Sequence, residues 1–215
     1  HTIKPCICTG STVYLYESFW KIRNEIWDLV EQNGINFFNV VPTILIAMMN
    51  MSYSEFSRDQ IRTMKFIACS SAFLPQKLQT EFQERFDVPV INLYGCSEIG
   101  AAFFDNPLVP GWKPFSVGKP FDVFKVAIFN EKKAVVSSGI NGEIGVAGSG
   151  ILKGYLNDPE AFQNSMHLDY FMTGDLGYID TDGFLHYVDR KKDLIIKAGV
   201  NIAPSQIDEL LQSHP

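Results

Sequence analysis

The chain has 215 residues, of which 46% are hydrophobic and 20% are charged, and its formal net charge is −6. This balance predicts one large or two small globular domains and excludes a disordered chain. The acidic excess argues against a nucleic-acid-binding protein, because nucleic-acid backbones favour a basic surface. No apolar run reaches the roughly 20 residues that a membrane-spanning helix needs.

The cysteines do not form a metal-binding pattern. Cys6, Cys8, Cys69 and Cys96 include no CxxC pair and have no histidine-rich partner sequence, so we predict no zinc site. Reduced thiols of this kind are typical of a cytoplasmic protein. The first ten residues lack the features of a signal peptide and begin abruptly, as expected for a portion of a longer protein.

The first half of the chain alternates predicted helices and strands. Residues 12–15 favour a short strand, and residues 17–32 favour a helix that ends at Gly34. Strands at 36–41, 64–69 and 90–93 are then separated by helices at 43–49 and from Pro75 onward. This β-α-β order predicts an α/β fold with a partial parallel sheet and flanking helices.

The pattern changes after residue 106. Residues 107–120 are rich in proline and glycine, and residues 123–188 hold short alternating strands that are divided by turn signals. We therefore predict a small antiparallel β-barrel or sheet in this part. A terminal helix is predicted at residues 204–212.

The most informative run is residues 170–204, YFMTGDLGYIDTDGFLHYVDRKKDLIIKAGVNIAP. Asp175 and Arg190 are suited to holding a ribose, because a carboxylate can accept from two neighbouring hydroxyls and a guanidinium offers several donors. An aspartate after a glycine is also common in turns, so the pair alone leaves both interpretations open.

The same run resembles the adenylate-forming superfamily, which includes acyl- and aryl-CoA ligases, peptide-synthetase adenylation domains and luciferases. Its TGD, DxDG and RxKD motifs occur here in order, and the PxEIE motif reads PSQID at 204–208. Residues 94–98 (YGCSE), 70–75 (SSAFLP), 153–155 (KGY) and 158–161 (DPEA) match three further family motifs. The resemblance covers nearly the whole chain and is closest to acyl-CoA synthetases.

The resemblance implies a two-step reaction. A carboxylate attacks the α-phosphate of ATP to give an acyl-adenylate and pyrophosphate, and a thiol, commonly coenzyme A, then displaces AMP. The implied cofactors are ATP or AMP, Mg²⁺ and coenzyme A, and the implied partner is a small carboxylic acid. Loading of an acyl carrier protein is the alternative within the same chemistry.

The resemblance also assigns residues to the nucleotide. Tyr94 would stack on adenine, although a core aromatic residue is the other interpretation, and Ser71 stands where the family usually has glycine. The implied nucleotide-binding residues are Ser71, Ala72, Tyr94, Gly95, Asp175 and Arg190.

The last two residues of the 94–98 motif are the implied catalytic residues. Ser97 would donate to the α-phosphate, and Glu98 would bind Mg²⁺, which prefers carboxylate oxygen, although a surface or capping acid would look the same. Gly100 and Ala101 would border the acyl pocket, and a close backbone crossing would explain these small residues equally well.

The remaining implied roles lie near the end of the chain. Lys192 would be the hinge about which a small domain rotates between the two steps, although its charged neighbourhood also suits a solvated turn. Gly199 would lie in the loop that lines the coenzyme A tunnel. We accordingly divide the chain into an α/β part (1–110), a β-rich subdomain (111–189), and a hinge with the start of a small domain (190–215).

Two family features do not occur in these 215 residues: a Ser/Thr/Gly-rich phosphate loop ending in lysine, and the catalytic lysine that relatives carry near the C-terminus. We therefore expect the chain by itself to be inactive in adenylation. Two other hypotheses stay open, namely a non-catalytic nucleotide-binding or interaction module and a structural domain that self-associates.

Overall fold

A computed structural model describes residues 3–51, 57–197 and 200–213. The chain forms two compact units, one ending at Ile91 and the other beginning at Asn92. The three-part division at residues 110 and 189 stays a prediction.

The first unit carries five α-helices and three strands within the described residues. They are α1 (Ile3–Cys8), α2 (Phe19–Ile22), α3 (Ile26–Asn33), β1 (Phe37–Val40), α4 (Pro42–Asn50), β2 (Phe66–Cys69), α5 (Gln76–Phe86) and β3 (Val90–Asn92), with a 3₁₀ turn at Arg58–Ile61.

The three strands form one sheet in the order β1-β2-β3, and β1 runs parallel to β2 with Phe37 opposite Phe66. This confirms the predicted parallel sheet with flanking helices. Apolar residues from the strands and from α3, α4 and α5 form one core, in which the fully buried side chains include Val30, Leu45, Met48, Ile67, Phe82 and Phe86.

Two local predictions are wrong. The expected helix at 17–32 is divided into α2 and α3, because the chain closes a tight turn in which the amide of Glu25 donates to the carbonyl of Ile22 at 2.9 Å. Within the described residues, positions 12–15 form no strand, and Leu15 is 75% exposed. A β-favouring composition does not form a strand without a neighbouring strand to pair with. The predicted stop at Gly34 is confirmed, since its φ of 60° places it in the left-handed region.

Helix α5 uses two amide side chains to bond the backbone of β3. The Nε2 of Gln79 donates to the carbonyl of Val90 at 2.6 Å, and the amide of Val90 donates to Oε1 of Gln83 at 2.8 Å. Gln79 is only 2% exposed, so its bond replaces water that cannot reach the Val90 carbonyl.

Replacing Gln79 with leucine should therefore lower the free energy of unfolding by about 1–3 kcal/mol, because a buried carbonyl loses its donor. Chemical denaturation monitored by circular dichroism measures this change. The matched control is Gln76→Leu in the exposed first turn of the same helix, which should leave stability nearly unchanged. Equal effects of the two substitutions would contradict the assignment.

The second unit is mostly β-structure. Its elements are β4 (Gly95–Cys96), β5 (Gly100–Ala101), β6 (Phe103–Phe104), β7 (Lys119–Pro120), β8 (Phe124–Phe129), β9 (Gly142–Gly148), α6 (Pro159–Asn164), β10 (Met166–His167), β11 (Tyr170–Ile179), β12 (Leu185–Arg190), β13 (Ile195–Lys197), β14 (Val200–Ile202) and α7 (Pro204–Ser213).

Five of these strands form an antiparallel sheet in the order β10-β11-β9-β8, with β12 paired to β11. This confirms the predicted antiparallel sheet. The register between β11 and β12 shifts between Leu176 and Gly177, and Asp175 lies opposite Arg190. The buried side chains beneath the sheet include Ile99, Phe103, Ile128, Ile144, Val146 and Leu185.

The last described segment is attached to β12. A 3₁₀ turn at Lys191–Asp193 leads to the β13–β14 hairpin and then to α7, which confirms the predicted terminal helix. At its start, the amide of Ser205 donates to Oδ2 of Asp189 at 2.8 Å. Among the described residues, no helix is long and apolar enough to cross a membrane.

Candidate functional site

The predicted ribose-binding pair is assembled by strand register. Asp175 and Arg190 are cross-strand partners on β11 and β12, and Oδ1 of Asp175 lies 3.1 Å from Nε of Arg190. The carboxylate is buried, with 5% of its side chain exposed, whereas half of the Arg190 side chain reaches solvent. The guanidinium therefore extends from a buried acid toward the surface.

The second oxygen of Asp175 has a different partner. The hydroxyl of Tyr94 donates to Oδ2 at 2.8 Å, and the backbone amide of Asp175 donates to Oγ1 of Thr173 at 3.1 Å. Gly174, between them, has a φ of 73°, a value that glycine adopts without strain. Oδ1 has the charged Nε of Arg190 as its neighbour at 3.1 Å and, among the described residues, no further donor, so this buried oxygen keeps unused acceptor capacity.

Burial dominates the electrostatics of this pair. It raises the pKa of Asp175 above its ordinary value, although the Tyr94 hydrogen bond and the Arg190 charge oppose the rise. Burial and the nearby Asp175 charge also raise the pKa of Tyr94, which therefore stays protonated and remains a donor. Tyr94 is only 8% exposed, and its ring packs beside Phe103 and Tyr187 at centroid distances of 5.4 and 5.8 Å.

Glu98 lies in the turn between β4 and β5. Its carboxylate interacts with Cys96, Tyr155 and Arg190. Its Oε1 accepts from the hydroxyl of Tyr155 at 3.0 Å. Burial raises the pKa of Glu98, but hydrogen bonds from the Cys96 thiol, its own backbone and Tyr155, with the Arg190 charge, lower it below its ordinary value. Burial raises the pKa of Cys96 to about 11, so this thiol stays protonated.

A cavity of about 370 Å³ connects these groups within the second unit. Glu98 and Arg190 both line it, together with Thr173 and Gly174, which precede Asp175 in β11. The lining residues are Cys96, Glu98, Glu143, Tyr155, Asn164, Ser165, Phe171, Met172, Thr173, Gly174 and Arg190. Ser97 is exposed beside Glu98.

The glycines near Glu98 allow a close backbone crossing. Gly95 pairs with Ala101 and Cys96 pairs with Gly100. A Cβ atom on Gly95 would lie 2.0 Å from the carbonyl oxygen of Gly100, so no larger residue fits there. A Cβ on Gly100 would meet nothing within 4 Å, and its φ of 64° is what favours glycine there. The place of Gly100 and Ala101 beside an acyl pocket stays a prediction.

In the first unit, Ser71 and Ala72 follow β2 and are exposed. Ser71 has a φ of 71°, in the left-handed region. This conformation explains why glycine is usual at this position in the resembling family, and it makes Ser71 a strained substitute. Their contact with adenine stays a prediction.

Lys192 is exposed in the 3₁₀ turn after β12, and its neighbour Lys191 forms an ion pair with Glu143 at 2.7 Å. Gly199 lies outside the described residues. Sequence reasoning missed Tyr155, Cys96 and Glu143 as parts of the cavity. The KGY motif contains Tyr155 and could have suggested it, whereas nothing in the sequence around Glu143 distinguishes it from the other acidic residues.

Comparison with known proteins identifies the family of the chain. Residues 2–156 match the model of the AMP-binding enzyme family, and the chain belongs to this family. The resemblance to the adenylate-forming superfamily is thereby confirmed. The chain is 36% identical over 193 residues to an oxalate–CoA ligase of Arabidopsis thaliana, covering 88% of this chain and 37% of that protein.

Two other relatives cover almost all of the chain. It is 35% identical over 219 residues to a sulfoacetate–CoA ligase of Cupriavidus necator, covering 99% of this chain and 41% of that protein. The structure of the O-succinylbenzoate coenzyme A synthetase of Bacillus subtilis with ATP and magnesium superimposes with a TM-score of 0.80 at 27% identity, covering 99% of this chain and 43% of that one. The chain spans about two fifths of the length of these relatives.

The Tyr94 hydroxyl should lower the pKa of Asp175, so Tyr94→Phe should raise the pH at which this carboxyl titrates. Carbon-detected NMR of the side-chain carboxyl against pH measures the change. Tyr178→Phe on the same strand as Asp175, where the ring stacks on His186, is the control and should leave that pKa unchanged. A Tyr94→Phe variant with unaltered Asp175 titration would show that the hydrogen bond does not act in solution.

Proposed function

We propose that this chain forms the adenosine- and metal-binding part of an AMP-forming acyl- or aryl-CoA synthetase. The proposed reaction joins a carboxylate to the α-phosphate of ATP with release of pyrophosphate, and the thiol of coenzyme A then takes the acyl group and releases AMP. The observation that carries the proposal is the Asp175–Arg190 pair, with a buried carboxylate oxygen that keeps acceptor capacity. Curated relatives named as CoA ligases favour coenzyme A over a carrier protein as the acceptor.

Asp175 and Arg190 suit a ribose for different reasons. An ionised carboxylate accepts only, and the hydroxyls of a sugar would donate to the acceptor sites of Oδ1 that Arg190 leaves open. Arg190 contributes fixed donors for the same sugar or for a phosphate. Holding the ribose by two strands of one sheet would fix the α-phosphate relative to the cavity that Glu98 lines.

Glu98 fits a magnesium ligand in its chemistry. Mg²⁺ in nucleotide sites takes one or two protein carboxylates together with phosphate oxygens and water. The described residues contain no group of three or more His, Cys, Asp or Glu that could hold a metal by themselves. A bound Mg²⁺ would neutralise charge on the phosphates, and the exposed Ser97 would donate to the α-phosphate.

Tyr94 and Gly95 are proposed to contact the adenine, and Gly100 and Ala101 to border the acyl group. Ser71 and Ala72 are proposed as nucleotide-binding residues from their motif alone. Lys192 is proposed as the hinge because it lies in the exposed 3₁₀ turn that joins β12 to the following hairpin. Gly199 is proposed for the coenzyme A tunnel from its motif alone.

The binding prediction uses isothermal titration calorimetry of the 215-residue chain with AMP and Mg²⁺. We expect saturable binding that Asp175→Ala weakens by at least about tenfold, because the ribose loses a charged acceptor. Asp169→Ala, an exposed acid before the same strand, is the matched control and should bind as the unchanged chain does. Equal affinity of the Asp175 and Asp169 variants would remove the ribose assignment, provided that both retain the native circular dichroism spectrum.

The second prediction concerns catalysis. These 215 residues supply the ribose pair and the metal carboxylate but contain no phosphate loop and no C-terminal catalytic lysine, so we expect no ATP–pyrophosphate exchange with any carboxylic acid. Exchange of labelled pyrophosphate into ATP is the measurement. Turnover above that of the Asp175→Ala variant would contradict this expectation.

A further inference from the structure

Two hydrogen bonds join Glu98 to the segment that contains Leu152 and Tyr155. The hydroxyl of Tyr155 donates to Oε1 of Glu98 at 3.0 Å, and the backbone amide of Leu152 donates to the carbonyl oxygen of Glu98 at 2.7 Å. The second bond fixes the backbone of Glu98, and the first fixes its carboxylate. A loop residue with three side-chain torsions is thus held at both ends.

Tyr155 is itself held in place. Its ring packs edge-on against Phe162 of α6 at a centroid distance of 6.3 Å, and its backbone bridges to Asp158. Asp158 caps α6 by accepting from the amide of Ala161 at 3.0 Å. The phenol is therefore fixed by a capped helix turn, whereas Glu98 sits in a hairpin turn.

We propose that Tyr155 is the positioning residue for Glu98: its hydroxyl holds the carboxylate in the orientation that presents it to a divalent cation in the cavity. The inference rests on the proposed function, since it takes Glu98 as the metal ligand. The residue acts through Glu98 and contacts neither the nucleotide nor the acyl group in this assignment.

The chemistry permits both contacts at once. An ionised carboxylate has about four lone-pair sites, so one bond from a phenol leaves acceptor sites for a cation. Mg²⁺ demands near-ideal octahedral geometry, and groups that hydrogen-bond a ligand set the orientation that this geometry requires.

The test is Tyr155→Phe in the 215-residue chain, which removes the hydroxyl and retains the ring that packs on Phe162. Binding of Mn²⁺ in the presence of AMP, measured by electron paramagnetic resonance, should weaken by about tenfold, as is usual when a partner of a metal ligand is lost. A crystal structure of the variant should show the Glu98 carboxylate away from its original position or in several rotamers. Tyr170→Phe, whose ring packs on Phe129, is the matched control and should alter neither result.

A double-mutant cycle with Glu98→Gln separates positioning from a general structural effect. If Tyr155 acts through Glu98, Tyr155→Phe should cause no further loss of Mn²⁺ affinity in the Glu98→Gln background. A loss of the same size in both backgrounds would overturn the proposal, and so would an unmoved Glu98 carboxylate with unchanged Mn²⁺ affinity.

The same experiments distinguish this inference from the proposed function. If the chain binds AMP, and Tyr155→Phe changes neither its Mn²⁺ affinity nor the position of the Glu98 carboxylate, the role of Tyr155 is refuted and the nucleotide site is retained. Absence of Mn²⁺ binding by the unchanged chain, with AMP bound, would overturn both the metal role of Glu98 and the positioning role of Tyr155. The effect of Asp175→Ala on AMP affinity tests the ribose assignment separately, because it depends neither on Mn²⁺ binding nor on Tyr155.

Discussion

The pairing of β11 with β12 is the constraint on which the candidate site depends. Side chains alternate between the two faces of a strand, so a slip of one residue would turn Asp175 or Arg190 to the opposite face. The register shift between Leu176 and Gly177 separates the end of the pairing that carries Asp175 and Arg190 from the rest of the hairpin. A bulge at such a place redirects side chains locally while the remaining ladder keeps its hydrogen bonds.

Burial then sets the chemical character of each carboxylate. Asp175 lies deep enough for desolvation to raise its pKa despite two favourable partners, whereas the more exposed Glu98 has its pKa lowered by its donors. A buried acid with an unused acceptor lone pair is unfavourable for folding alone, and a ligand hydroxyl would remove that cost. Binding sites commonly contain groups of this kind, which lower the stability of the unliganded fold.

Both carboxylates of the proposed site are held by a phenol, Asp175 by Tyr94 and Glu98 by Tyr155. A tyrosine suits this task because its pKa rises further beside a carboxylate, so the donor is kept where the acid is ionised. Each phenol also packs its ring on neighbouring aromatic residues, which restricts its hydroxyl to one place. The site is thus fixed by side chains from distant parts of the second unit.

The amino-acid sequence by itself determined the family, the α/β start and the antiparallel sheet, because these follow from local motifs and hydrophobic periodicity. It also singled out Asp175, Arg190 and Glu98 as proposed site residues, and the structure brings Asp175 and Arg190 together as cross-strand partners. It failed at residues 12–15 and 17–32, where pairing partners and a turn override local preference. Only the tertiary structure decided that Tyr94 and Tyr155 would hold the two acids and that Glu143 would line the cavity. These contacts join residues far apart in the chain, and their geometry depends on strand register and packing that no local pattern encodes.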